Sequence, residues 1–200
     1  MKNLRILAIS VCIGLGAIIA LGIPLHAQLT GAPIPFSADW ADYIEGELQD
    51  SGRFYATPEA VRIETGREKL EEGVSFTTIW DYRKMVVHVL EDWHQKYFSS
   101  IIQPRQAGKD DFGEFGVPCP NWLGEPEATP IGSNTLHGRE TENWKCLFPG
   151  GETMTAWYDT RLQRTIRYEF NSKDYLEMTN IKEGPQRESL FVLPPDYSRL

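Results

Sequence analysis

The sequence has no excess of basic residues. It contains 20 Lys and Arg against 28 Asp and Glu, so its formal net charge is −8 at pH 7. Beyond residue 27, no run of Lys and Arg forms a basic stripe. Proteins that bind nucleic acid neutralise phosphates with clustered Lys and Arg, so we exclude nucleic acid as a partner.

Cysteine is also scarce, with three in 200 residues, which excludes a small disulfide-dense scaffold. The chain is long enough for one domain with a substantial core and short for two. Its hydrophobic content of 41% and charged content of 24% are typical of a globular protein rather than a disordered one.

The motifs of several common enzyme classes are missing too. The sequence has no G-x-S-x-G, no P-loop and no glycine pattern for dinucleotides. Acidic pairs such as Glu71-Glu72 and Asp110-Asp111 lie in polar stretches, where a solvated surface explains them. The two carboxylates of a glycosidase stay open, because they need only face each other across a cleft. We predict a protein without catalytic residues, metal or cofactor.

What the sequence does have begins with an export segment. Lys2 and Arg5 precede an apolar run of 18 residues from Ile6 to Ile23, and Ala27 offers a small residue for cleavage. This order is typical of a secretory signal peptide over residues 1–27. We therefore predict cleavage after Ala27 and a periplasmic domain over residues 28–200. Because the apolar run approaches the length that spans a bilayer, an uncleaved membrane anchor is the alternative.

Export would place the two cysteines of the mature chain in an oxidising compartment. We therefore predict a disulfide between Cys119 and Cys146. Their spacing fits no zinc motif, and one histidine between them, His137, does not make a metal site. A catalytic cysteine acting with His137 is the less favoured alternative.

Alternation of apolar and polar residues recurs along the mature chain and predicts β-strands. In residues 165–170, Ile166, Tyr168 and Phe170 share one face. Two neighbouring predicted strands, 152–158 and 175–181, are separated from this one by polar turns. The three strands form a predicted meander.

The first half of the domain follows the same pattern. Strands are predicted over four segments, residues 52–56, 60–65, 74–80 and 84–90. The last of these is apolar on both faces apart from His88, for which a satisfied, partly buried histidine is the expected role. Residues 38–49 suit either a helix, with Trp40, Tyr43 and Ile44 on one face, or a strand.

About ten strands and little helix predict a mainly β fold. We expect a strongly curved antiparallel sheet or an incomplete β-barrel, with a few short helices covering the concave face. Residues 103–135 contain five prolines and five glycines. They are predicted to form a long irregular insertion, either a lid over a site or an excursion without one.

Four segments follow one another in a familiar order: residues 54–64 (FYATPEAVRIE), residues 78–87 (TIWDYRKMVV), Trp157-Tyr158-Asp159, and residues 191–197 (FVLPPDY). Together they resemble the LolA-like superfamily of periplasmic lipoprotein carriers and its lipoprotein-sorting relatives. The resemblance implies an incomplete antiparallel barrel closed by helices that carries acyl chains or lipoproteins without catalytic residues. Thr57 departs from the pattern, because the carriers have an arginine before the proline of the first turn.

We therefore expect an exported, non-catalytic protein that holds an acyl chain, a lipid or a lipidated protein in an apolar cavity, with a role in lipoprotein or lipid transport. The side chains predicted to line that cavity are Phe54, Ile63, Ile79, Val87, Tyr168 and Phe170. The alternative is a structural or regulatory envelope protein that binds a protein partner on the same fold, with its core filled. An open apolar cavity would favour the first.

Overall fold

The structure, a computed structural model, describes residues 33–67, 75–102, 117–120 and 124–200. All of them belong to one unit of the chain, residues 31–200. The predicted signal peptide, residues 1–27, lies outside the described residues, as do residues 103–116 and 121–123 of the predicted insertion.

Strands dominate the described residues. In chain order they are β1 (Phe36–Ile44), β2 (Glu47–Ala56), β3 (Ala60–Arg67), β4 (Ser75–Asp81), β5 (Val86–Glu91), β6 (Lys96–Ile101), β7 (Glu127–Leu136), β8 (Arg139–Leu147), β9 (Thr153–Asp159), β10 (Arg164–Glu169), β11 (Tyr175–Glu183) and β12 (Ser198–Arg199).

These strands hydrogen-bond into one sheet in the order β12-β6-β5-β4-β3-β2-β1-β11-β10-β9-β8-β7. Every neighbouring pair is antiparallel except β12 and β6, which run parallel. The sheet is curved and open rather than closed into a barrel, which confirms the predicted fold class. Instead of several short helices, the described part of the chain contains one turn of 3-10 helix, Glu188–Phe191.

The region that suits either a helix or a strand, residues 38–49, forms β1, a turn and the start of β2. Ala38 and Trp40 of β1 are buried on one face, as a strand requires. Glu45 and Gly46 form the turn with φ values of 56° and 80°, the left-handed pair that joins tightly twisted hairpin strands. Pairing on both sides, with β2 and β11, outweighs the helical spacing of the apolar residues.

Strand β7 corrects the predicted extent of the irregular insertion. Glu127–Leu136 pairs with β8 along its length, although the sequence predicts loop through residue 135. The proline and glycine that disguise this strand are Pro130 and Gly132, where the pairing register shifts. Proline is tolerated there because β7 is the edge strand of the described sheet, so on one side no described strand needs a backbone N–H from it.

The two faces of the sheet carry separate apolar clusters. Along β3, Val61 and Ile63 belong to the larger cluster and Ala60 to the smaller one. Adjacent strand residues point to opposite faces, so the two clusters lie on opposite sides of the sheet. The larger cluster, which we call the main core, includes Phe36, Trp40, Phe54, Trp80, Trp144, Phe148, Met154, Tyr158, Ile166, Tyr168 and Met178.

The C-terminal segment covers the smaller cluster. Phe191 of the 3-10 helix packs there with Ile79 and Leu90. Farther along, the Tyr197 hydroxyl donates to Asp92 Oδ1 at 2.7 Å. Burial and the Asp92 carboxylate raise the pKa of Tyr197 to about 12, so this hydroxyl keeps its proton and donates throughout the physiological pH range. The segment therefore holds the second face of β3 to β6 closed.

A disulfide attaches a short piece of the insertion to the sheet. Cys119 is bonded to Cys146 of β8, with an S–S distance of 2.00 Å and a Cα–Cα distance of 5.6 Å. The Thr165 hydroxyl donates to the Val117 carbonyl at 3.1 Å. Cys146 is fully buried in the main core, so residues 117–120 are held against β8 and β10.

Candidate functional site: an apolar cleft at the end of β1, β10 and β11

A cleft of about 550 Å³ opens where β1, β10 and β11 meet. Its size falls within the range of about 300 to 1,000 Å³ that small-molecule sites usually have. Most of its lining is apolar or aromatic, and the rest is carboxylate. The lining residues are Asp42, Tyr43, Ile44, Tyr168, Phe170, Asp174, Tyr175 and Leu176.

One wall of the cleft is a row of side chains across three strands. Asp42 of β1 lies opposite Leu176 of β11, and Leu176 lies opposite Tyr168 of β10. Cross-strand partners share a face of the sheet, and Tyr168 belongs to the main core. The wall is therefore continuous with that core and rigidly supported.

The rim is apolar and accessible. Ile44 is 52% exposed and Phe170 is 41% exposed, whereas Tyr168 is 1% exposed. Tyr43 and Tyr175, also in the lining, stack on each other with ring centroids 4.6 Å apart. Large apolar side chains in water at the mouth of a cleft are candidates for contact with an apolar ligand.

Two turns are bonded to each other at this end of the sheet. The Glu45 backbone N–H donates to Asp174 Oδ1 at 2.6 Å, and the Gly46 N–H donates to the Lys173 carbonyl at 2.9 Å. The Asn171 side-chain amide donates to Asp174 Oδ2 at 2.6 Å. Asp174 thus ties the β1–β2 turn to the β10–β11 turn and fixes the rim.

A bulge lies directly beside the cleft. Asp42 pairs with Asp50 and Tyr43 pairs with Leu48, so Gln49 is an extra residue in β2. A bulge bends its strand and increases the local twist. It also leaves two aspartates directly opposite each other, an arrangement that destabilises a strand pair.

The two carboxylates of the cleft are perturbed in opposite directions. Burial raises the pKa of Asp42, and the neighbouring charges of Asp50 and Asp174 raise it further. The Glu45 N–H and the Asn171 amide lower the pKa of Asp174. Asp174 therefore stays ionised to low pH. Ionised Asp42, in contrast, raises the free energy of the folded protein.

Of the six side chains predicted to line a cavity, the structure brings Tyr168 and Phe170 together at the cleft. Phe54 and Ile63 are enclosed in the main core. Val87 is half-buried against that core and shares its face with Val89 and Phe98, because strand alternation places them on the same side. The six do not form one surface.

Ile79 requires a correction, because it lies on the opposite face of the sheet. Its neighbour Trp80 points into the main core, so alternation along β4 turns Ile79 towards Phe191 and the C-terminal segment. The apolar run of the sequence does not say which of two adjacent residues faces which side.

Six lining residues were not among the predicted ones: Asp42, Tyr43, Ile44, Asp174, Tyr175 and Leu176. The sequence does show the turn that contains Asp174, through Asn171-Ser172-Lys173-Asp174. It does not show that β1 lies beside β11, because this contact joins residues more than about 130 positions apart.

The histidines of the described residues have side-chain partners. His88 Nδ1 lies 2.7 Å from the Ser99 hydroxyl, and burial lowers the pKa of His88, as expected for a satisfied, partly buried histidine. His137 Nε2 lies 3.1 Å from Glu177 Oε2.

Within the described residues, no group of three His, Cys, Asp or Glu side chains is placed to hold a metal ion. The same residues include no helix with the length and apolar character needed to cross a membrane.

The fold and the cleft define a class: an open, curved antiparallel sheet with an apolar cleft at one end. No protein-family model matches the sequence, and no curated protein matches it. Among solved structures, an uncharacterized conserved protein from Thermus thermophilus is similar, with a TM-score of 0.56 and 16% identity. The similarity covers 84% of this chain and 90% of that one. At this identity it shows the fold alone.

Two further structures are more distant. MucB has a TM-score of 0.49 and 12% identity over 86% of this chain and 62% of MucB, so the chain spans less than two thirds of that protein. An outer membrane lipoprotein-sorting protein domain, as its name gives it, from Vibrio parahaemolyticus has a TM-score of 0.32 and 7% identity over 83% of this chain and 92% of its own. Both scores are below 0.5 and carry no argument here.

Proposed function

We propose that this protein is an exported, non-catalytic binding protein that holds the acyl chain of a lipid or a lipidated protein in the cleft between β1, β10 and β11. The protein would transport or present that acyl chain in the periplasm. The observation that carries the proposal is the cleft itself, with about 550 Å³ of space and an apolar rim at Ile44 and Phe170.

The physical basis of such binding is the transfer of methylenes out of water. Each buried methylene contributes about 0.8 kcal/mol, so a chain that enters the cleft gains affinity without any charged contact. The wall formed by Leu176 and Tyr168 is backed by the main core. A preformed wall of this kind costs little ordering on binding.

Export is supported by two independent features. The N-terminal sequence has the pattern of a signal peptide, and Cys119 and Cys146 are bonded to each other, which is typical of oxidising compartments. The segments that resemble the LolA-like superfamily point to the same compartment and to the same kind of ligand.

A second candidate function is a regulatory or structural envelope protein that binds a protein partner. The observation that favours it is strand β7, a ten-residue edge strand whose first nine residues are exposed. An exposed edge offers backbone groups to an added strand. The filled main core beneath Phe54 and Ile63 also fits this alternative.

The experiment is a binding titration with dodecyl maltoside, an uncharged single-chain amphiphile, below its micelle concentration. We expect Phe170→Asp to weaken binding at least about tenfold, because a charge replaces an apolar rim contact. Phe170 is exposed enough for the variant to fold. The matched control is Ile101→Asp, the same kind of change at an exposed residue of β6, which we expect to bind like the wild type.

Native mass spectrometry of the gently purified, exported protein gives the second readout, where we expect copurified lipid. Absence of dodecyl maltoside binding together with absence of copurified lipid would contradict the acyl-chain proposal and favour the protein-interaction alternative. Equal losses of binding in Phe170→Asp and Ile101→Asp would also contradict it, because binding would not be localised to the cleft.

A further inference from the structure

We propose that the ligand of the cleft is a single-chain amphiphile whose polar end carries a positive charge, an alkylammonium rather than a carboxylate or phosphate. This inference rests on the proposed function, because it names the ligand class for the same cleft. It follows from where the charged side chains lie around the apolar wall.

The lining contains two carboxylates, Asp42 and Asp174, and no Lys or Arg among its eight residues. Asp42 lies in the row with Leu176 and Tyr168, at the apolar wall itself. Asp174 lies in the turn at the rim. A chain seated on the wall would therefore have its polar end within the field of two negative charges.

The carboxylate of Asp50, which is outside the lining, adds to this field. Asp50 lies directly opposite Asp42 across the β1–β2 pair. Burial and this neighbour make the Asp42 charge unfavourable in the empty cleft. A cation would offset that charge, whereas a second anion would have to be desolvated beside it.

The basic groups near the cleft do not cancel its negative charge. Arg167 lies over the Tyr175 ring at 4.1 Å, but its guanidinium donates to Glu169 at 2.7 Å and to Glu177 at 2.9 Å. It is therefore already paired with two carboxylates. Lys173 is exposed in the rim turn and helps to lower the pKa of Asp174. Against the two carboxylates of the lining, Asp42 and Asp174, this one exposed lysine leaves the described lining and its rim turn net negative.

The charges around the cleft therefore narrow the class of ligand further than the apolar wall does. The wall alone would bind the same apolar chain equally well whatever polar head the ligand carried. Opposite charge near a partly buried carboxylate favours a cationic head, and like charge disfavours an anionic one.

The test compares three amphiphiles with the same chain: dodecyltrimethylammonium, dodecyl maltoside and dodecanoate, titrated below their micelle concentrations by calorimetry at low ionic strength and neutral pH. We expect dodecyltrimethylammonium to bind at least about tenfold tighter than dodecanoate, with dodecyl maltoside between them. Added salt should reduce this ratio, because the carboxylates are within reach of solvent ions.

The variant is Asp42→Asn, which removes a charge while its amide oxygen can still accept the Tyr43 backbone bond. We expect it to reduce the ratio of dodecyltrimethylammonium affinity to dodecanoate affinity several-fold. The control is Glu188→Gln, which removes an exposed carboxylate from the C-terminal segment and should leave the ratio as it is.

The outcomes separate this inference from the proposed function. Equal binding of all three amphiphiles, or tighter binding of dodecanoate, would overturn the charge inference and leave the acyl-chain proposal standing. A ratio that Asp42→Asn and Glu188→Gln change equally would also overturn it. Failure of all three to bind would overturn both.

Discussion

Asp42 is a residue whose folded-state environment opposes its charge. Burial and the carboxylates of Asp50 and Asp174 raise its pKa, so the folded protein binds a proton at Asp42 more tightly than the unfolded chain does. Stability from this group is present at low pH and is lost as the pH rises through the folded-state pKa. At neutral pH the ionised carboxylate therefore destabilises the fold.

We predict that Asp42→Asn increases the free energy of unfolding near neutral pH, because the neutral amide avoids both the burial penalty and the repulsion from Asp50. This gain in the free energy of unfolding should disappear below a pH of about 4, the ordinary pKa of Asp, because the wild-type carboxyl is then itself protonated. Urea unfolding at the two pH values measures the difference. A variant less stable than the wild type at neutral pH would show that Asp42 has a structural role instead.

At the scale of elements, Arg139 connects three strands that are not all neighbours. From the start of β8 its guanidinium bonds to Asp159 of β9 and, at 2.7 Å, to Glu183 of β11. Asp159 is 1% exposed and also accepts the backbone N–H groups of Arg161 and Leu162 at 2.9 Å. These contacts hold the β7–β8 hairpin to the turn after β9.

We predict that Arg139→Ala lowers the free energy of unfolding by about 3 kcal/mol, because it leaves the buried Asp159 carboxylate without its charged partner. Arg161→Ala is the matched control: Arg161 also contacts Glu183, but its side chain is 68% exposed. Its loss should change stability by less than about 0.5 kcal/mol. Chemical denaturation of both variants measures this, and equal effects would contradict the role given to Arg139.

Local sequence signals predict the strands well where turn-forming polar residues mark the ends of each strand. The meander of β9, β10 and β11 follows from period-two alternation and polar turns. Strand β7 is missed because Pro130 and Gly132 imitate a loop, and they are tolerated only because the strand lies at an edge. Residues 38–49 remain ambiguous in sequence because their strand character comes from pairing with β2 and β11.

At the scale of the whole molecule, the cleft exists because the first strand meets the second half of the chain. β1 lies between β2 and β11 in the sheet, which brings Ile44 and Asp42 to the strand that carries Leu176. Tyr168 and Phe170 can be predicted from their alternation in sequence. Their partners across the cleft cannot, because strand order is set by packing between segments distant in the chain.

The most direct test of the central claim is to locate the surface on which an apolar chain binds. NMR chemical shifts of amides and methyl groups, followed during titration with dodecyl maltoside, locate the contact surface. The account predicts the largest changes at Ile44, Phe170 and Leu176. Changes that instead cluster at Val87 and Phe98 on β5 and β6, or an absence of changes at saturating amphiphile, would contradict it.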